Sequence, residues 1–423
     1  MPSILDSSAG ATPARGTRAS LPRDTSCRRT RIALVGAHGH GASHLRRIAD
    51  LVDQGVAELC AVADPRPADA LDAASSLAPW YSSLEELLAR QDKTPDVVVL
   101  STPLPTHLPL AETALRAGCD VLLEKPTTVS LAEFESLVAI VEETGRRCQV
   151  GFQTFGSHVF AEIDHIVASG EIGEVTGIGA VGTWVRTAGY WARAPWAGRR
   201  RLNSADVVDG VLTNPLAHAI ATALRVGGVT RAYDIDAVET DLHRANPIEA
   251  DDTSSVRVVS VDGRSFGCGL TLCASESSPA RILVQGTCGE LTLFYETDRI
   301  EVRTPRAQWS LQSDRTDLLQ NLLIARRDPA ARLCCDVRDT GAFMRVLEAV
   351  RTAPDPTPIA STFVTWFGEG TEQRPVVHDV EAWCERAART QSRLRPSELR
   401  GPPLTTDHVR AAEVANTRMS RLA

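Results

Sequence analysis

A chain of 423 residues with a formal net charge of -8 exceeds what one hydrophobic core usually supports, so two domains and a short tail are expected. The composition is neither fibrous nor disordered, and the negative balance leaves no broad basic field for phosphate backbones, so a small molecule rather than nucleic acid is the expected partner. No apolar run reaches the roughly 20 residues that cross a bilayer, and the ten cysteines lack CxxC pairs or a His at zinc-ligand spacing, which points to a soluble, reduced, cytoplasmic chain with no membrane association and no structural metal.

Residues 1–29, rich in Ser, Ala, Pro and Arg and without apolar periodicity, read as a disordered extension. Arg28-Arg29 has the look of a twin-arginine export signal, but the apolar stretch behind it, Ile32 to Val35, is only a strand's length. From Arg31 onward short apolar runs alternate with amphipathic segments, and strands are expected at 31–36, 58–63, 96–102, 120–124 and 148–153. Between them, Ser83-Leu-Glu-Glu86 and Ser130-Leu-Ala-Glu133 have the form of capping boxes, and Gly118 and Gly145 stand where helices need a left-handed stop. This alternation gives an α/β fold over 30–153: an N-terminal Rossmann, doubly wound parallel sheet with its ligand at the carboxyl ends of the strands.

The first strand runs into Gly36-Ala37-His38-Gly39-His40-Gly41 and then a helix, where backbone amides and a helix N-terminus can hold a pyrophosphate. The glycine spacing is irregular, with His38 in the slot of the second glycine of a GxGxxG frame. The second strand ends at Asp64, 28 residues after Gly36. A carboxylate there accepts both ribose hydroxyls and repels a 2′-phosphate, which favours NAD over NADP. The same Asp64-Pro65 also reads as a helix cap, and Arg66 as a partner for a 2′-phosphate. His38, His40 and His44 crowd this loop. Their spacing does not match the usual helix pair of metal ligands, so they read as turn and phosphate-neighbourhood residues and no metal is expected.

After a helix over 157–169 closed by Gly170, the pattern changes to longer β-branched and alternating runs at 175–186, 253–261, 264–273, 280–285 and 290–295, with Asp262-Gly263 as a two-residue hairpin signal. Helices are expected near 215–226, 315–326 and 337–351. Residues 154–352 therefore read as a C-terminal α+β domain with a large, mostly antiparallel sheet, and 353–423 as a peripheral extension with a helix near 380–393. The stretch 184–201 carries Trp184, Tyr190, Trp191, Arg193, Trp196 and Arg199-Arg200-Arg201. Aromatic faces and guanidinium forks suit polyol C–H faces and carboxylates, which makes Trp191, Arg193 and Trp196 substrate candidates. The same composition suits a subunit interface.

The chain holds 43 arginines and two lysines, Lys93 and Lys125. Lys93 lies in a polar loop, whereas Lys125 ends an apolar strand. With Ser101-Thr-Pro-Leu-Pro-Thr-His107 and Ala117-Gly-Cys-Asp-Val-Leu-Leu-Glu-Lys-Pro126, the chain resembles the glucose-fructose oxidoreductase and inositol dehydrogenase family, Gfo/Idh/MocA. Gly41-x-x-His44, Val150-Gly-Phe152, Ser169-Gly-Glu-Ile-Gly-Glu-Val175 and Gly286-Thr-Cys-Gly289 add to the likeness, which spans roughly residues 31–350.

The resemblance implies that Lys125 points into the active site beside the nicotinamide after a cis Lys125–Pro126 bond. It extends the cofactor contacts from Gly36, His38, Gly39, His40, Gly41 and Asp64 to Thr102, Pro103, Glu124, Lys125 and Gln153, with His107 in a packing or positioning role. The family's Asp with a His four residues later corresponds here to Asn214 and His218. Since an amide cannot ionise, Lys125 and His218 must carry the proton chemistry and Asn214 can only orient. With Asn214 as N-cap and Pro215 as first helical residue, the helix N-terminus favours a neutral His218, available as base. The implied enzyme is an NAD-dependent dehydrogenase or reductase acting on a secondary hydroxyl or ketone of a sugar, cyclitol or sugar acid. In it His218 handles the proton and Lys125 polarises the oxygen. The resemblance further implies a homo-oligomer, dimer or tetramer, built through an exposed face of the C-terminal sheet. An NAD-dependent glycosidase and a nucleotide-sensing regulator without turnover are the alternatives.

Overall fold

The computed structural model describes residues 28–66, 78–90 and 92–393; the expected extension before Arg28 and the chain beyond Arg393 lie outside them. Six strands pair in parallel in the order Trp80–Tyr81, Ala57–Ala63, Thr30–Val35, Val97–Leu100, Asp120–Leu123 and Cys148–Val150. Winding reverses between Thr30–Val35 and Val97–Leu100, which opens a crevice beyond their carboxyl ends. Every residue of Val97–Leu100 and of Asp120–Leu123 is buried, the consequence of helices on both faces and the reason these strands read as apolar runs rather than alternations.

On one face the helix Gly41–Asp53 packs Leu45, Ile48 and Leu51 onto Ile32, Leu34 and Val99. On the other lie Leu84–Arg90, His107–Arg116 and Leu131–Thr144. Gly118 and Gly145 take φ of 91° and 63°, the expected left-handed stops. The capping boxes form by half. Ser83 and Ser130 accept from the amides of Glu86 and Glu133, but Glu86 turns its carboxylate to Ser82. A helix from far along the chain, Leu318–Arg327, completes the first face by burying Leu318, Leu319, Leu322 and Leu323 there. A boundary near residue 153 thus separates the sheets but not the helices that cover them.

The second sheet has nine strands in the order Gln308–Gln312, Arg299–Arg303, Glu290–Phe294, Arg281–Gly286, Val175–Thr183, Ser265–Thr271, Thr253–Ser260, Ile235–Arg244 and Thr357–Pro358. Only the pairs Val175–Thr183 with Ser265–Thr271 and Ile235–Arg244 with Thr357–Pro358 are parallel, so the sheet is mostly antiparallel as expected. The hairpin at Asp262-Gly263 forms, but its loop takes in Val261 as well, with the Ser260 amide donating to Arg264 O at 2.9 Å.

The segment expected to be peripheral holds a helix, Val380–Thr390, that lies across the centre of this sheet with Trp383 only 2% exposed. It fits because three glycines remove the side chains beneath it. A Cβ on Gly179 would stand 2.3 Å from Ala388 O, one on Gly267 2.4 Å from Ala387 O and one on Gly269 2.4 Å from Cys384 O. The chain's own helix therefore covers the central strands on this face of the sheet. The face left open belongs to the strands Glu290–Phe294 and Arg299–Arg303, where buried and part-exposed residues alternate. Gly269→Val is expected to push the helix off and cost about 1–3 kcal/mol by overpacking, read as a lower urea midpoint; an unchanged midpoint would mean that the helix is not seated there. Among the described residues no helix is long and apolar enough to cross a membrane.

Candidate active site

The crevice is lined first by the turn after Thr30–Val35. Gly36 and Gly39 take φ of 82° and 62°, and a Cβ on Gly41 would lie 1.9 Å from Gly36 O, so the helix starts directly against the turn. The helix begins without a side-chain cap; the amides of Gly41, Ala42 and Ser43 reach back to the carbonyls of His38, Gly39 and His40 at 2.9–3.3 Å, so what the turn offers an anion is chiefly the positive end of the helix dipole. His38 does not occupy the turn as a glycine would. Its Nδ1 bonds Asp64 Oδ2 at 2.9 Å and its ring edge meets Trp80.

Asp64, 3% exposed, also accepts from the amides of Ala37 at 3.0 Å and Arg66 at 2.9 Å and from Arg66 Nε at 3.2 Å. Burial would raise its carboxyl, but the hydrogen bonds from Arg66, His38 and Ala37 outweigh that and hold it well below the usual carboxylate range. The expected ribose acceptor thus stands at its strand end with its oxygens engaged by the chain's own donors.

On the neighbouring rim, Thr102 accepts from Thr106 Oγ1 at 2.8 Å, and Pro103 precedes a short 3-10 turn. His107 is buried, with Nε2 3.0 Å from Thr102 O and Nδ1 2.9 Å from Pro126 O, one of the two nitrogens donating its single proton. Burial lowers its pKa. It ties the two loops together and faces no open space. Gln153 is exposed at the start of a 3-10 turn.

Beyond Asp120–Leu123, Glu124 is met by His44 Nε2 at 2.8 Å and His40 Nε2 at 3.3 Å, while its second oxygen accepts the Lys125 amide at 3.1 Å. Burial would raise Glu124, yet its hydrogen bonds to the two imidazoles hold it below the carboxylate range. The bond to Glu124 in turn raises His40 against burial. Contrary to the expectation that the three histidines hold no ligand-pair spacing, His40 and His44 stand one helical turn apart and converge on one carboxylate.

The Lys125–Pro126 bond is cis. Lys125 Nζ donates to Asn214 Oδ1 at 2.7 Å and to Asn214 O at 3.1 Å. Burial lowers its pKa against the attraction of Glu124 and Asp209, and Arg193 lowers it further. Asn214 Nδ2 donates to Asp209 Oδ1 at 2.5 Å, and the buried Asp209 also accepts from the Gly198 amide at 2.7 Å and Arg193 Nη2 at 3.2 Å. Lys125, Asn214, Asp209 and Arg193 therefore form one continuous chain of polar contacts. Asp209 is its pivot, and sequence reasoning passed it over; the signal was a lone acid between Val208 and Gly210 in an otherwise apolar segment.

Asn214 is not the helix N-cap. The helix Ala217–Val226 starts after Leu216, because the Asn214 side chain is drawn to Lys125 and Asp209 instead. His218, the second residue of that helix, sets its ring edge against Phe152 with centroids 5.5 Å apart. Its Nδ1 is buried without a hydrogen-bond partner. Burial first, then the Lys125 ammonium, lower its pKa to about 3.

Near this chain of contacts, Arg193 stacks 3.7 Å over Tyr190 and 4.7 Å over Trp196, and Arg186 lies 4.8 Å over Trp184. Trp191 Nε1 is buried without a partner. The run Arg199-Arg200-Arg201 disperses into structure: Arg199 pairs with Glu249, Arg201 with Asp206, and Arg200 holds the carbonyls of Val350, Arg351 and Ala353.

Residues 30–152 match the model of the Gfo/Idh/MocA oxidoreductase family, NAD-binding Rossmann fold. Inositol 2-dehydrogenase of Salmonella paratyphi B is 31% identical over 143 residues, 33% of this chain and 42% of that protein. The scyllo-inositol 2-dehydrogenase (NAD(+)) of Bacillus subtilis is 32% identical over 146 residues, 34% of this chain and 42% of its own. The match thus spans less than half of either relative. The WlbA dehydrogenase from Bordetella pertussis, solved in complex with NADH and UDP-GlcNAcA, shares the fold with a TM-score of 0.63 at 21% identity, over 76% of this chain and 95% of that one.

Proposed function

We propose that this chain, whose residues 30–152 match the NAD-binding Rossmann fold of the Gfo/Idh/MocA oxidoreductases, is a dehydrogenase acting on a secondary hydroxyl or ketone of a sugar, cyclitol or sugar acid, with Lys125 carrying the proton. The observation that supports this most is the Lys125 ammonium, held against Asn214 with a lowered pKa, next to an imidazole whose Nδ1 lacks a partner. The turn from Gly36 to Gly41 and the helix behind it fit a pyrophosphate and Glu124 the nicotinamide end, while Asp64 fits an adenosine ribose once the exposed Arg66 side chain releases its oxygens. When bound, NAD supplies the hydride acceptor or donor.

Burial increases the neutral fraction of Lys125 at working pH, and the neutral amine can take the hydroxyl proton as the alcohol is oxidised. In the reverse direction the ammonium returns it. Asp209 fixes the Asn214 amide so that its oxygen faces Nζ and aims it. His218, with a pKa of about 3, is neutral at any working pH and a weak base. In this reading it offers the substrate oxygen a neutral hydrogen bond while Lys125 moves the proton, a different division from the one expected from the sequence. Arg193 is already engaged by Asp209 and by the faces of Tyr190 and Trp196, so in this reading the cluster shapes the rim of the substrate site and Trp191 is the ring that meets sugar C–H groups.

Mixing the protein with NAD and a panel of polyols, cyclitols and uronates, and following reduced-cofactor absorbance, tests the proposal. Tight NAD binding with no reduction across the panel would overturn it in favour of nucleotide sensing, and glycoside cleavage without net reduction in favour of a hydrolase. NAD is expected to bind more tightly than NADP by on the order of tenfold, ~1.4 kcal/mol, within what one charge repulsion near a surface supplies. A lower Kd for NADP would mean that Arg66 leaves Asp64 for the 2′-phosphate.

A further inference from the structure

We propose that His40, His44 and Glu124 form a binding site for one divalent transition-metal ion beside the dinucleotide turn. His40 precedes the helix Gly41–Asp53 and His44 follows one turn later, so both side chains lie on one side of the helix. The end of the strand Asp120–Leu123 brings Glu124 opposite them. His40 Nε2, His44 Nε2 and a Glu124 oxygen all lie within 4.8 Å of one another. The two rings meet edge to face with centroids 5.3 Å apart, and both Nε2 atoms converge on Glu124 Oε1, at 2.8 and 3.3 Å.

A transition metal sits about 2.0–2.2 Å from such donors, so it fits between these three atoms after small side-chain rotations. Two imidazoles and one carboxylate select zinc, cobalt, nickel or ferrous iron over magnesium or calcium, which prefer oxygen ligands. Three protein ligands leave coordination positions for water or an incoming group. The remaining Glu124 oxygen is held by the Lys125 amide at 3.1 Å, an outer contact of the kind that orients a metal-bound carboxylate. The half-exposed His40 side chain, at 54%, supplies an entry path. The metal site rests on this geometry alone. Its further consequence, that metal and NAD bind in competition, rests on the functional reading above, because both would draw on His40 and Glu124.

Titrating Co2+ into the metal-free full-length protein tests the site. The expected result is one ion per chain, with the visible d–d absorption of nitrogen and oxygen ligands and no thiolate charge-transfer band; that band would instead mark a cysteine such as the exposed Cys288. His40→Gln and His44→Gln should each weaken binding by at least roughly tenfold, since losing even an outer-sphere partner costs about 10- to 100-fold. Their circular dichroism should stay unchanged. Affinity unaffected in both variants, or a thiolate band alone, would overturn the site. Saturating NAD should lower the apparent Co2+ affinity, and simultaneous binding without mutual effect would overturn the competition. A direct titration in which NAD does not bind at all would instead count against the proposed function and leave the metal result standing.

Discussion

Lys125→Met is expected to lower turnover by roughly 10² to 10⁴-fold while leaving NAD affinity nearly unchanged, the range that loss of a proton-transfer group commonly produces. Met preserves most of the buried volume, so the chief change is the loss of Nζ. Asn214 Oδ1 then loses the donor that sits at 2.7 Å, a cost of about 1–3 kcal/mol that a melting curve should register separately. The pH dependence carries the sign. Oxidation needs the neutral amine, so kcat should rise with pH through a Lys125 pKa lowered by burial, and the residual rate of the Met variant should be flat over that limb. His218→Gln, which keeps a neutral hydrogen-bonding group, should cost less than Lys125→Met. An equal loss with an unchanged pH limb would return the proton to His218, and a fall in NAD affinity as large as the fall in turnover would leave Lys125 only the cofactor contact that the resemblance also implies.

The first sheet was readable because its strands are buried on both faces and because Gly118 and Gly145 punctuate its helices by a φ only glycine tolerates cheaply. Lys125 was readable because the rest of the chain has almost given up lysine. The second sheet was only partly legible: Ile235–Arg244 carries Asp, Glu, His and Arg along a half-exposed strand, and its apolar alternation is too weak to register. Two helices were seen without their destinations. Leu318–Arg327 crosses back to the first sheet, and Val380–Thr390 is a central layer only because Gly179, Gly267 and Gly269 meet beneath it. Nothing local specifies either contact, since both arise from residues brought together across large sequence separations. The site divided the same way. Glu124 and Lys125 follow from a strand end, whereas the convergence of His40 and His44 on Glu124, and of Asn214 on Asp209, depends on which side chains reach across the crevice.

Asn214→Asp, which restores the acid that the resemblance leads one to expect four residues before His218, is expected to lower turnover and stability rather than raise them. Asn214 uses both ends of its amide. Oδ1 accepts from Lys125 Nζ at 2.7 Å, and Nδ2 donates to the buried Asp209 Oδ1 at 2.5 Å. A carboxylate has no donor for Asp209 unless it is protonated, so two acids would face each other at hydrogen-bond distance and share one proton, with one pKa strongly raised. Losing a hydrogen bond to a charged acceptor should cost about 1.5–3 kcal/mol, seen as a lower urea midpoint. Whatever negative charge remains beside Nζ would stabilise the ammonium, raise the Lys125 pKa and move the rising limb of the oxidation rate to higher pH, so activity at neutral pH falls. The double variant Asp209→Asn with Asn214→Asp exchanges donor and acceptor across the same pair. It should recover much of the stability, because the new amide at 209 can still accept from the Gly198 amide, which now bonds Asp209 at 2.7 Å. Turnover should recover less than stability, because the carboxylate would then sit directly on Lys125. A clear gain in turnover from Asn214→Asp alone would instead mean that an ionisable acid at this position is the missing catalytic group and that the contact with Asp209 is incidental.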